Sequence, residues 1–136
     1  MTPLALFFAI TLDIESYYYY IRVSHKTRNI MKLLTKEILN NFKRQGDTSK
    51  MEAEQVKVIV KFFNPVGIGT WYATEYNEDE KMFFGYVSLF GDHNDELGYF
   101  SLEELESIKG QFGLGIERDM YFRKHTLKEV MSMSRK

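Results

Sequence analysis

The run Val56 to Phe63, VKVIVKFF, constrains this chain more than any other stretch. Side chains on a strand alternate between its faces, so Val56, Val58, Val60 and Phe62 are expected on one side and Lys57 and Lys61 on the other. A second layer must then cover the apolar side. Asn64-Pro65 and the glycines Gly67 and Gly69 end the run. Three more strand-like runs follow closely: Thr70 to Tyr76 (TWYATEY), Met82 to Phe90 (MFFGYVSLF) and the short Leu97 to Phe100. The turn Asn77 to Lys81 and the polar loop Gly91 to Glu96 separate them. Links this short join antiparallel neighbours, so the order predicts a meander. Ile116 to Phe122 (IERDMYF), after the glycine-bearing loop GQFGLG, reads as a fifth strand.

Helices flank these strands with matching end signals. Thr35 is placed to cap a helix from Lys36 to about Gln45, with Leu34 and Leu39 as a hydrophobic staple and Gly46 as its stop. Ser101 and Glu104 have capping-box spacing for a second helix running to about Lys109, with Leu102, Leu105 and Ile108 as its buried stripe and Gly110 as its cap. Thr126 and Glu129 repeat that spacing before a last short helix. The expected fold is α+β: a mainly antiparallel sheet of four or five strands with helices packed against it, spanning residues 31–136 as one domain. An apolar fraction of 44 % in 136 residues suits one modest core.

Residues 1–30 do not share this pattern. The apolar run Pro3 to Ile10 is too short to span a bilayer and lacks the basic flank and cleavage site of a secretory signal. Two readings fit: an extra strand on the sheet edge, or an extension upstream of a natural start at Met31. The second is favoured, because the segment fits the domain pattern poorly. Without cysteine the chain forms neither disulfides nor thiolate metal sites, and a cytoplasmic location is the default expectation. The formal net charge of -1 argues against broad electrostatic gripping of nucleic acid, though local basic faces remain open.

Three constellations have chemical content. If IERDMYF is a strand, Glu117 and Asp119 share a face about 6 to 7 Å apart. Such a pair, with a third carboxylate from Asp92, Asp95 or Glu96, would suit Mg²⁺ or Mn²⁺ in phosphodiester hydrolysis, although acidic residues on a strand face are more often simply solvated. Arg118 alternates with Ile116, Met120 and Phe122, so it is expected to point toward the apolar side and to need a carboxylate there. Glu75, placed by alternation with Trp71 and Ala73, is the expected partner. The favoured reading is a structural salt bridge that fixes strand register; the other is a binding site where Arg118 meets phosphate beside the Trp71 indole. Trp71, Tyr72, Tyr76, Tyr86 and Tyr99, with Lys57 and Lys61, would make a stacking platform for single-stranded nucleic acid, whereas most strand aromatics are core. His25, His93 and His125 have no metal-site spacing; the glycines near Gly113 form no phosphate loop, and no serine sits in a nucleophile elbow.

Several blocks in order resemble a known family: MKLLTKEIL at Met31 to Leu39, VKFFNP at Val60 to Pro65, TWYATE at Thr70 to Glu75, FFGYV at Phe83 to Val87, ELGYFSLEELE at Glu96 to Glu106 and GLGIERDMYF at Gly113 to Phe122. The chain is similar in these to domain of unknown function 2958. The resemblance implies an accessory protein of bacterial plasmids, prophages or conjugative elements, sometimes joined to antirestriction-type domains. It also brings a single-stranded DNA endonuclease label that some members carry. Together the readings favour a nonenzymatic binder of nucleic acid or of a nucleic-acid-processing protein, with no cofactor and no membrane partner. The alternative is a metal-dependent endonuclease acting on single strands. Neither oligomeric state nor a specific partner follows from the residues.

Overall fold

The computed structural model describes residues 33–90, 95–109 and 113–134. The N-terminal extension, the proposed start at Met31, Asp92, His25, His93 and the Gly110 cap lie outside the described residues. Helix α1 (Lys36–Gln45) begins where Thr35 accepts a hydrogen bond from Ile38 N, and ends at Gly46, whose φ of 67° suits glycine and whose N–H donates to Phe42 O. Four strands follow: β1 (Val60–Phe63), β2 (Thr70–Asn77), β3 (Met82–Ser88) and β4 (Glu96–Ser101). Helix α2 (Leu102–Ser107), strand β5 (Glu117–Arg118) and helix α3 (Leu127–Ser134) complete the described elements.

The sheet has five strands in the order β4-β3-β2-β1-β5, every neighbouring pair antiparallel. Its first four strands form the expected meander, and β5 returns across the fold to the outer side of β1. The Thr126/Glu129 capping box forms with reciprocal bonds at 2.8 and 3.2 Å, while at Ser101 the N-cap half forms, Glu104 N donating to Ser101 Oγ at 2.9 Å. Helix α2 stops at Ser107, short of Lys109, because Ile108 is already extended with ψ at 122°. Among the described residues no helix is long and apolar enough to cross a membrane.

Each side of the sheet carries its own core. One contains Phe62, Trp71, Ala73, Phe83 and Phe100, closed by Phe42 of α1 and Leu105 of α2. The other contains Val56, Val58 and Tyr86, closed by Leu127 and Val130 of α3. This corrects the reading of Val56 to Phe63 as a single strand with one apolar side. The alternation of burial holds, yet Val56 and Val58 serve the α3 core and Val60 and Phe62 the opposite one. The chain turns over between them: Val58 N donates to His125 O, Ile59 N to Ala73 O, and only then does regular pairing with β2 begin. Gln45 fixes the preceding residue, accepting from Lys57 N and donating to Lys57 O and Thr74 O at 2.8 to 2.9 Å. The expected fifth strand is likewise shorter, two residues in place of seven, because Asp119 turns the chain by accepting from Tyr121 N.

Candidate functional site

The register of β5 on β1 sorts its residues by face. Glu117 pairs with Phe63, Arg118 with Phe62, and Asp119 N donates to Lys61 O. Directly opposed residues share a face, so Glu117 and Asp119 fall on the side that carries Lys61 and Phe63, while Arg118 falls on the apolar side with Phe62. The carboxylate of Asp119 accepts from Tyr121 N at 2.9 Å and lies 3.4 Å from Lys61 Nζ. Among the described residues no three histidine or carboxylate groups converge as a metal site would require.

Arg118 and Glu75 do not meet. A β-bulge interrupts the β2–β3 register between Ala73 and Glu75, so Glu75 pairs with Phe84 and leaves the face that Trp71 and Ala73 occupy. Its carboxylate instead accepts from both the backbone N–H and the hydroxyl of Thr48, tying the segment after α1 to the sheet. Arg118 has no ion-pair partner among the described residues. Urea denaturation should therefore separate the two positions. Glu75→Ala should cost about 1 to 3 kcal/mol by stranding the buried Thr48 donors, and Arg118→Ala about 1 or less. Equal, non-additive losses would instead reveal a shared interaction.

The aromatic platform is divided between the two sides of the sheet. Trp71, 7 % exposed, belongs to the α1–α2 core with its indole over Gly69, and Tyr76 packs at 4.6 Å on Phe83 in the same layer. Tyr72 and Tyr86 lie on the α3 side, 6.1 Å apart. Tyr99 stands exposed on β4 against Phe84. Lys57 is held by Gln45 through its backbone, and Lys61 Nζ sits 5.8 Å from the rings of both Tyr72 and Phe122.

These placements bring an unexpected set together on the Lys61 side. A groove of about 560 Å³ opens at the end of the sheet between the β1–β2 loop and the end of β3, lined among others by Lys61, Phe63, Ile68, Ser88, Phe90 and Asp119. Ile68 and Phe90 are 62 % and 66 % exposed on its rim. Asp95 accepts from Ser88 Oγ at 2.8 Å and more weakly from the buried Tyr86 hydroxyl at 3.5 Å. Burial pushes the Tyr72 hydroxyl above its usual range, and Tyr86, Asp95 and Asp119 add to the effect, so Tyr72 stays a neutral donor. Lys61 and Asp119 thus line an apolar-rimmed trough, and Asp95 stands behind its Ser88. Sequence reasoning named Lys61, Tyr72 and Asp119 but missed Ile68, Ser88 and Phe90. The available signal was two large apolar residues, Ile68 and Phe90, standing among turn-forming glycines where no core demands them.

No curated protein and no solved structure matches the chain. The sequence profile of the family described as protein of unknown function (DUF2958) matches residues 33–136, and the chain belongs to that family.

Proposed function

We propose that this domain is a nonenzymatic docking module of the cytoplasm, serving mobile-element maintenance or defence evasion by holding a nucleic-acid-processing protein in the groove at the end of its sheet. One observation carries the reading: the groove pairs an exposed apolar rim, Ile68 and Phe90, with a lysine already neutralised 3.4 Å away by Asp119. A phosphate entering there would have to displace a carboxylate and approach Asp95, whereas an apolar anchor flanked by polar groups fits the trough as it stands. Asp119 has both oxygens engaged by Lys61 and Tyr121, which supports docking over hydrolysis.

A photo-crosslinking residue in place of Phe90, with the same residue in place of the exposed Lys36 as control, tests this in cells of the source organism. A defined protein adduct should form at Phe90 only, and the paired change Ile68→Asp with the crosslinker kept at Phe90 should reduce it at least about tenfold, as loss of an anchor does. In parallel, purified protein mixed with labelled single-stranded DNA and Mg²⁺, Mn²⁺ or chelator should leave the strand intact and unbound. Metal-dependent cutting that disappears in Glu117→Gln and Asp119→Asn would overturn the proposal in favour of the endonuclease.

A further inference from the structure

Strand β4 pairs with β3 along its whole length, from Glu96 opposite Val87 to Ser101 opposite Met82. It is the last strand on that side of the sheet, and its outer edge makes no backbone hydrogen bond among the described residues. Alternate residues of an antiparallel edge point their N–H and C=O groups outward, so β4 offers a ready ladder. Edge strands are commonly blunted by proline, lysine, a bulge or shortness. Within Glu96–Ser101 there is no proline or lysine, the β3 register runs without a shift, and the strand is six residues long. Gly98 leaves open space on one face, since a Cβ there would meet nothing within 4 Å. On the other face Tyr99, 76 % exposed, is braced edge-on against Phe84 at 5.0 Å, with the exposed Leu97 beside it.

The flanks of this edge are acidic. Glu96 is exposed at its start, and Glu103, Glu104 and Glu106 are exposed on α2, the helix that leaves its end and packs back on β4. Lys81 and Lys109 are the nearby counterweights. We infer that the outer edge of β4 binds an extended, basic segment of a partner protein as an added antiparallel strand, its apolar residues covering Leu97 and Tyr99 and its lysines or arginines meeting the α2 glutamates. A second copy of this chain is the wrong occupant, because self-pairing sets one acidic flank against the other. The inference is independent of the groove, and its variants touch neither Ile68 nor Phe90.

The probe is a fluorescein-labelled peptide of alternating lysine and valine, compared with a glutamate-valine counterpart and with a lysine-valine peptide N-methylated at alternate residues. The lysine peptide should raise the anisotropy, weaken with salt, and protect amides of residues 97–101 from hydrogen exchange. N-methylation removes the ladder donors without removing charge, and should weaken binding at least about tenfold. The joint change Glu103→Gln with Glu104→Gln should weaken the unmethylated peptide several-fold while circular dichroism stays unchanged, and the glutamate peptide should not bind. Equal binding of the methylated peptide, protection at residues 61–70 in place of 97–101, or no binding of the lysine peptide would each overturn the inference. So would a salt-resistant dimer of the protein alone with residues 97–101 protected.

Discussion

Gly85→Ala is expected to cost at least about 4 kcal/mol, the largest effect of an added methyl group at any of the described glycines. Gly85 sits opposite Ala73 on β3, next to the bulge in β2. A Cβ there would lie 1.9 Å from Tyr72 O, 2.8 Å from Tyr72 C and 2.9 Å from Ala73 Cα. All three are backbone atoms in a strand paired on both sides, so no rotamer change makes room. The sheet would have to separate at the bulge, where Thr74, fully buried, donates to Phe84 O. For a domain of this size the loss corresponds to roughly 15 to 25 °C in Tm, readable in a thermal melt by circular dichroism. Gly98→Ala is the control: it adds the same methyl on the neighbouring strand into open space, and should move the midpoint by only a few degrees. A Gly85→Ala protein melting near the parent would show that β2 and β3 are not as close as described.

Phe83→Ala should follow, at about 3 to 5 kcal/mol. The ring is fully buried on β3 and touches four others: Tyr76 at 4.6 Å, Phe100 at 5.2 Å, Phe62 at 5.3 Å and Phe42 at 6.0 Å. These contacts come from three other strands and α1, so truncation opens a cavity that no single neighbour can fill. Phe83→Leu keeps most of the volume and should lose less than half as much. Urea titration of both variants checks the ranking, with the midpoint expected to fall while the slope against denaturant holds. Equal losses for Ala and Leu would mean that aromatic geometry outweighs cavity volume at this position.

Features that depend on neighbours in sequence were legible before any coordinates. Thr35, Ser101 and Thr126 each announce a helix start through a hydroxyl three residues ahead of a free amide, and each makes that bond. The alternation in VKVIVKFF likewise marked its buried positions, whereas in TWYATEY and MFFGYVS Thr74 and Tyr86 are buried out of step. It did not reveal the change of side between Val58 and Val60, because both sides of this sheet are apolar and the period of two is satisfied either way. The bulge was harder still. It moves Glu75 off the face of Trp71, so the expected pair with Arg118 rested on an alternation that one extra residue cancels. The glycine within FFGYV was the available hint, since a glycine inside a strand often marks close backbone approach. Trp71 stood open between core and a stacking surface because alternation groups residues by face without telling which face a helix covers; α1 and α2 cover that one.

The return of β5 to the outer side of β1 has a consequence for the order in which the molecule assembles. Strands β1 to β4 meet through short links, so each pairing closes a small loop and loses little chain entropy. The contacts of Phe62 with Arg118 and of Lys57 with Thr126 close far longer ones, and α3 reaches its core only once they form. The meander is thus a local, fast-forming unit, and the segment from β5 onward docks onto a surface that must already exist. The same hierarchy runs backward on unfolding: the two-residue β5 and its following turn are the least costly part to release, and their departure would bare Val56, Val58 and Tyr86 while leaving the aromatic cluster around Phe83 intact.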